Sequence, residues 1–165
     1  MTFLAAKLKQ AGYQTHQIGK WHLGMSSWGH IPTGRGFDTS LVFFQGAEDH
    51  FTQRSCADAE CLQPVTDQTV PPKGWPRDRW GRSPHDFWLN RAPAKHLAGT
   101  SYSGYMFNDQ AVRTIRAHDD RLGPLFMYLA PANSHVPLQA PQAFLDLYPR
   151  DWYLDRRQCA EMSRR

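Results

Sequence analysis

The chain has 165 residues, 41% of them hydrophobic, with mean hydropathy −0.62 and charges mixed along its length, which argues against global disorder and allows one domain with a sizeable core. The net charge of +4 comes from 19 basic residues scattered without a basic arm or nucleic-acid module, so no nucleic-acid partner is expected. No apolar run approaches the roughly 18 residues of a membrane span, and Thr2 to Gly12 lacks the basic, apolar and small-residue segments of a signal peptide.

Residues 2–11 are predicted as a helix: Phe3, Leu4, Leu8 and Ala11 recur at helical spacing, Thr2 suits the N-cap and Gly12 the left-handed C′ position. Tyr13 to Gly19, with Thr15 and Ile18, is predicted as a strand, so helix and strand form half of a βαβ unit whose first strand is expected upstream. Gly24 to Gly36 is loop by its Gly, Ser and Pro content, and Leu41-Val42-Phe43-Phe44 reads as a buried parallel strand.

From Gln45 to about Ser101 no period is sustained. Residues 62–100 hold six of the twelve prolines and three of the six tryptophans, the composition of an irregular insertion or loop over a site. Regularity returns at 104–118, where Phe107, Ala111, Val112 and Ile115 mark a helix face and Arg113 and Arg116 point elsewhere. Leu125 to Ala130 reads as a buried strand, Pro131 to Pro141 as the loop beyond its carboxyl end, and Gln142 to Tyr148 as a short helix. The expected fold is α/β with a mainly parallel, incomplete sheet.

Ligands of open α/β sheets bind beyond the carboxyl ends of the strands. Gly19-Lys20-Trp21-His22-Leu23-Gly24 and Asn133-Ser134-His135-Val136-Pro137-Leu138 both follow predicted strands, so Lys20, His22 and His135 could converge there on one small anion. Lysine is a compact charge with three donors, and histidine can orient an anion or protonate a leaving oxygen. These residue types alone leave open an ordinary solvated lysine and ordinary hydrogen-bonding histidines. Cys56 and Cys61 flank a four-residue loop that could close as a disulfide in an oxidising compartment; the pair alone makes a poor zinc site.

Gly12-Tyr13-Gln14-Thr15-His16-Gln17-Ile18-Gly19-Lys20-Trp21-His22-Leu23-Gly24 resembles the second signature of the sulfatases, G-Y-x-T-x-x-x-G-K-W-H-L-G, at every fixed position. Pro32 to Asp38, Gly46 to His50, Pro124 to Ala130 and Ser134 to Pro141 are similar to the arylsulfatase B (N-acetylgalactosamine-4-sulfatase) branch, with His50 where tyrosine is more usual. The resemblance implies an alkaline-phosphatase-like domain, of which residues 1–165 form an internal fragment, from a hydrolase of small-molecule or glycan sulfate esters. It implies a lysosomal, secreted or endoplasmic-reticulum setting for the parent. It places the family's sulfate-binding lysine on Lys20, the histidine beside the nucleophile on His22, and the histidine on the leaving-group side on His135. The Cys56–Cys61 pairing is implied by a similar close pair in that branch.

The same resemblance implies calcium and a formylglycine nucleophile made from cysteine in C-x-[PSA]-x-R. None of Cys56, Cys61 or Cys159 stands in that motif, so formylglycine cannot form here, and the calcium ligands are expected outside the chain. Asp119-Asp120 reads as a solvated helix end and Asn108-Asp109 lies inside a helix, so neither replaces them. The isolated chain is therefore expected to be inactive. Two other readings are a non-catalytic module that binds sulfated glycans and a phosphate-ester hydrolase of the alkaline phosphatase superfamily.

Overall fold

The computed structural model describes residues 2–55, 84–135, 137 and 139–148. In chain order these form α1 (Leu4–Gln10), β1 (Gln14–Lys20), β2 (Thr39–Phe43), β3 (Trp88–Leu89), β4 (Ala92–Pro93), α2 (Ser103–Ala117), β5 (Leu125–Ala130) and α3 (Gln142–Leu145). The sheet order is β4-β3-β2-β1-β5. β1 pairs in parallel with β2 and with β5, whereas β3 and β4 add an antiparallel hairpin at the β2 side. The architecture is an open α/β sheet, as the sequence implied, parallel over β2-β1-β5 and made mixed by the β3–β4 hairpin.

Alternation along the parallel strands sends apolar side chains to both faces. Ile18, Leu41 and Phe43 join Phe87, Ala94, Phe107, Ala111 and Ala132 in a core on the α2 side. Val42 and Phe44 join Ala5, Trp21, Ile31 and Phe37 on the α1 side, with Phe3, Trp88 and Phe126 packed against them. Trp21 meets Phe37 edge-on with ring centroids 6.1 Å apart, and Phe37 stacks on Phe126 at 6.3 Å. Each fully buried phenylalanine contributes about 1.5–3 kcal/mol by leaving water.

Several expectations need correction. Helix α1 starts at Leu4 with Phe3, not Thr2, in the N-cap position and no side-chain cap. Its buried residue is Ala5, which packs in the cluster of Trp21, Ile31 and Phe37, while Leu4 is 64% exposed. Gly12 does take the left-handed conformation, φ 90°. The face of α2 is centred on Ser103, Phe107 and Ala111, with Met106 on the core and Ile115 exposed.

The segment expected to be irregular up to Ser101 contributes β3 and β4 to the sheet, and its residues 56–83 lie outside the described ones, with Cys56 and Cys61 among them. Strand β5 has the predicted bounds but is only half-buried: among the described residues it pairs with β1 alone, and Tyr128 and Leu129 are exposed. Asp119 caps a 3-10 turn (Asp120–Leu122), accepting from the Arg121 backbone N–H at 3.0 Å and pairing with its guanidinium at 2.7 Å. Helix α3 ends at Leu145 instead of Tyr148.

Candidate functional site

Most of the residues from Gly12 to Gly24 do structural work, which isolates the few that do not. The Thr15 backbone N–H donates to Asp38 Oδ2 at 2.8 Å, its hydroxyl donates to the Gly36 carbonyl at 2.7 Å, and the Asp38 N–H donates back to the Thr15 carbonyl at 2.7 Å. Gly19, at φ 98°, faces the β5 backbone, and a Cβ there would stand 2.2 Å from the Ala130 carbonyl oxygen. Trp21 is buried, and its indole N–H is shared between the carbonyls of Gly24 (2.8 Å) and His30 (3.0 Å). The side chains of Lys20 and His22, the two residues of this run expected at the site, enter none of these hydrogen bonds.

Lys20 is the last residue of β1, one step beyond the Gly19–Ala130 register pair. The buried Gln17 amide donates to its carbonyl at 3.1 Å and steadies the strand end. Partial burial lowers the Lys20 pKa from the ordinary lysine value, and no neighbouring charge enters that shift. His22 is exposed and sits at φ 47°, a left-handed conformation uncommon for residues other than glycine; its N–H donates to the Phe44 carbonyl at 3.1 Å. Its ring lies against Gly46, where a Cβ would stand 3.0 Å from Cε1. His135 is exposed in the loop after β5, its N–H donating to the Ala132 carbonyl at 2.9 Å. The parallel β1–β5 pairing puts the loops of all three at one sheet edge.

Between those loops lies a buried polar cluster that sequence reasoning passed over. It is built from the segment after β2 and includes Glu48, Asp49, His50, Gln53, Asp86, Ser103 and Gln139, each at most 5% exposed. Asp49 Oδ1 accepts from the N–H groups of Phe51 (3.1 Å) and Thr52 (2.8 Å), and Asp86 accepts from those of Phe44 and Gln45. Burial pushes the Asp86 pKa up, against those two N–H groups.

Glu48 has neither carboxyl oxygen in a hydrogen bond of good geometry. Burial raises its pKa well above the usual carboxylate range, and Asp86 and Asp49 add to the shift while the Ser103 hydroxyl partly offsets it. Burial lowers His50 to about 4, with Asp49 opposing and His135 adding to the effect. Burial thus works against charge on both partners of the 3.9 Å approach of His50 Nδ1 to Glu48 Oε1. The residues Glu48-Asp49-His50 were visible in the sequence, but nothing local signalled that all three would be buried together.

The calcium of the resembling family does not fit these side chains. Among the described residues no three His, Cys, Asp or Glu side chains are grouped to hold a metal. Burial raises the Glu48 pKa and so disfavours its charged form, and Asp49 and Asp86 spend their oxygens on N–H donors. Among the described residues no helix is long and apolar enough to cross a membrane.

Comparison with known proteins matches residues 1–156 to the family model described as Sulfatase. The chain is 34% identical over 159 residues to arylsulfatase J of Mus musculus, covering 96% of this chain and 23% of that protein. It is 30% identical to the arylsulfatase of Klebsiella aerogenes (88% of this chain, 26% of the relative) and 30% identical to N-acetylgalactosamine-6-sulfatase of Mus musculus (90% and 25%). The crystal structure of Ps i-CgsB superposes with a TM-score of 0.68 at 23% identity, over 96% of this chain and 32% of that one; its complex with k-i-k-neocarrahexaose gives 0.66. The chain spans about a quarter of the length of the curated relatives it matches. These matches carry the family and the fold, and do not single out the N-acetylgalactosamine-4-sulfatase branch.

Proposed function

Because this chain belongs to the sulfatase family, we propose that it supplies the lysine and histidine side of a sulfate-ester hydrolysis site, with Lys20, His22 and His135 gathered on one sulfuryl group. The observation that carries this is the β1–β5 register, in which Gly19 lies opposite Ala130 and the lysine and histidine loops leave the sheet at the same edge. Lys20 neutralises charge on the sulfuryl oxygens, a role suited to a cation that burial has partly stripped of water. His135, in its loop beyond β5, donates a proton to the departing ester oxygen. His22, held by the Phe44 carbonyl and by Gly46, contacts the sulfuryl group from the side where a nucleophile attacks.

The substrate class is a sulfate ester, small or carried on a glycan. Formylglycine chemistry is not available to any of the three cysteines of the sequence, so these groups act on a nucleophile that this chain does not supply. An assay of the purified 165-residue chain with a chromogenic aryl sulfate and calcium, beside a Lys20→Ala control, tests the reading. We expect no catalysed release, since loss of a single oxyanion-stabilising donor already costs about 10²–10³ in rate. Turnover that disappears with Lys20→Ala would show that the chain carries its own nucleophile and would overturn that part of the proposal.

A further inference from the structure

His135 is exposed in the segment of 11 residues between β5 and α3, yet a site that reads one sulfuryl group needs it held to well under an ångström. Among the contacts that hold the loop is a set of hydrogen bonds centred on Gln139, four residues beyond His135 and 4% exposed. Gln139 Oε1 accepts from the His50 backbone N–H at 2.7 Å, and its Nε2 donates to Asp49 Oδ2 at 2.8 Å. The Gln139 carbonyl accepts from the Tyr102 hydroxyl at 2.9 Å, and that hydroxyl accepts from Asn133 Nδ2 at 2.6 Å, two residues before His135. The loop is thus bound on both sides of His135 to one buried polar cluster. The same segment after β2 carries Gly46, on which the His22 ring rests. One piece of backbone, residues 44–53, therefore references both histidines.

We propose that Gln139 is the positioning residue that sets His135 relative to His22 and Lys20, through its paired bonds to Asp49 and His50. This rests on the reading of those three residues as one sulfate site. The side-chain amide suits the task because it offers one acceptor and one donor in a fixed fork, matched to one N–H and one carboxylate oxygen. Burial makes the match strict: reversing the amide would set donor against donor at His50 and acceptor against acceptor at Asp49.

That complementarity supplies the test. In Asp49→Asn, Oδ1 can still receive the Phe51 and Thr52 N–H groups, but an NH2 group then faces the Gln139 NH2. In Gln139→Glu, two carboxylates meet. In the double variant, Asp49→Asn with Gln139→Glu, the new amide at position 49 donates to the new carboxylate at position 139. That carboxylate also accepts from the His50 N–H, so both bonds return with the charge unchanged. Histidine ring and backbone resonances of the full chain are followed by NMR, first free and then during titration with inorganic sulfate.

Each single variant should raise amide exchange at His50 and His135 and shrink the sulfate-induced shift of His135 by severalfold relative to that of Lys20, while any change in the dissociation constant is shared by both residues. The double variant should restore both within about threefold, a rescue that a merely structural role for either residue in isolation does not give. Unchanged His135 exchange and sulfate response in the single variants, or a well-folded double variant without rescue, would overturn the proposal. If the wild-type chain shows no sulfate response at Lys20 and His22, the site reading falls instead, and the role of Gln139 is decided by exchange at His135 alone.

Discussion

Gly46 and His22 touch without room for a further atom: a Cβ on Gly46 would lie 3.0 Å from Cε1 and 3.1 Å from Nε2 of the imidazole. The contact ties the loop after β1 to the loop after β2 at the edge where Lys20 ends its strand. Gly46→Ala therefore tests placement of the ring more than stability. His22 is exposed and its ring can swing away, so we expect a loss of less than about 1 kcal/mol in urea unfolding. We also expect a displaced His22 ring resonance and weaker binding of inorganic sulfate. An unchanged His22 resonance would show that the ring does not rest on Gly46.

Gly19→Ala should act in the opposite way. Its Cβ would stand 2.2 Å from the Ala130 carbonyl oxygen and the residue sits at φ 98°, so both sterics and backbone oppose the change. The β1–β5 pairing should open, at a cost of roughly 3 kcal/mol or more. Chemical denaturation measures this, and a variant within about 1 kcal/mol of wild type would contradict the register described for these strands.

Glu48 makes stability depend on pH with a definite sign. Its folded pKa is raised by burial, so above the unfolded value folding takes up a proton, and stability falls as pH rises toward the folded pKa. His50 acts oppositely: held near 4 when folded against 6.5 unfolded, it costs stability below about pH 6.5 and nothing well above it. Glu48→Gln keeps the shape and removes only the first effect. The variant should gain on wild type as pH rises above the unfolded carboxylate value, with a slope of up to about 1.4 kcal/mol per pH unit until the folded group ionises. A pH-independent difference in urea unfolding would show that Glu48 is ionised in the fold.

How far the sequence revealed this site depended on how local each signal was. The strand of β5 and the αβ passage at Gly12 could be read because an apolar run and a helix-ending glycine are local properties. The run Gly19-Lys20-Trp21-His22 stands out through its match to the sulfatase signature, a motif contained within a few residues, and its role as a site is what we propose for it. The exposure of Leu4 departs from the helical pattern because the face that α1 buries, centred on Ala5, is set by residues farther along the chain, Trp21, Ile31 and Phe37. The hairpin of β3 and β4 was missed because two-residue strands carry no period. Gln139 was invisible for the same reason as Glu48: its partners Asp49 and His50 are 90 and 89 residues away, and only the fold assembles them.

Everything proposed for the site depends on Lys20, His22 and His135 sharing one anion. The decisive experiment titrates the 165-residue chain with sulfate at constant ionic strength while all three residues are followed by NMR. We expect the three signals to move with one dissociation constant, and Lys20→Ala to weaken the response at both histidines by about tenfold or more, about 1.4 kcal/mol. A His135 signal that stays still while Lys20 and His22 respond, or a response that chloride reproduces at equal ionic strength, would show that no shared sulfate site exists.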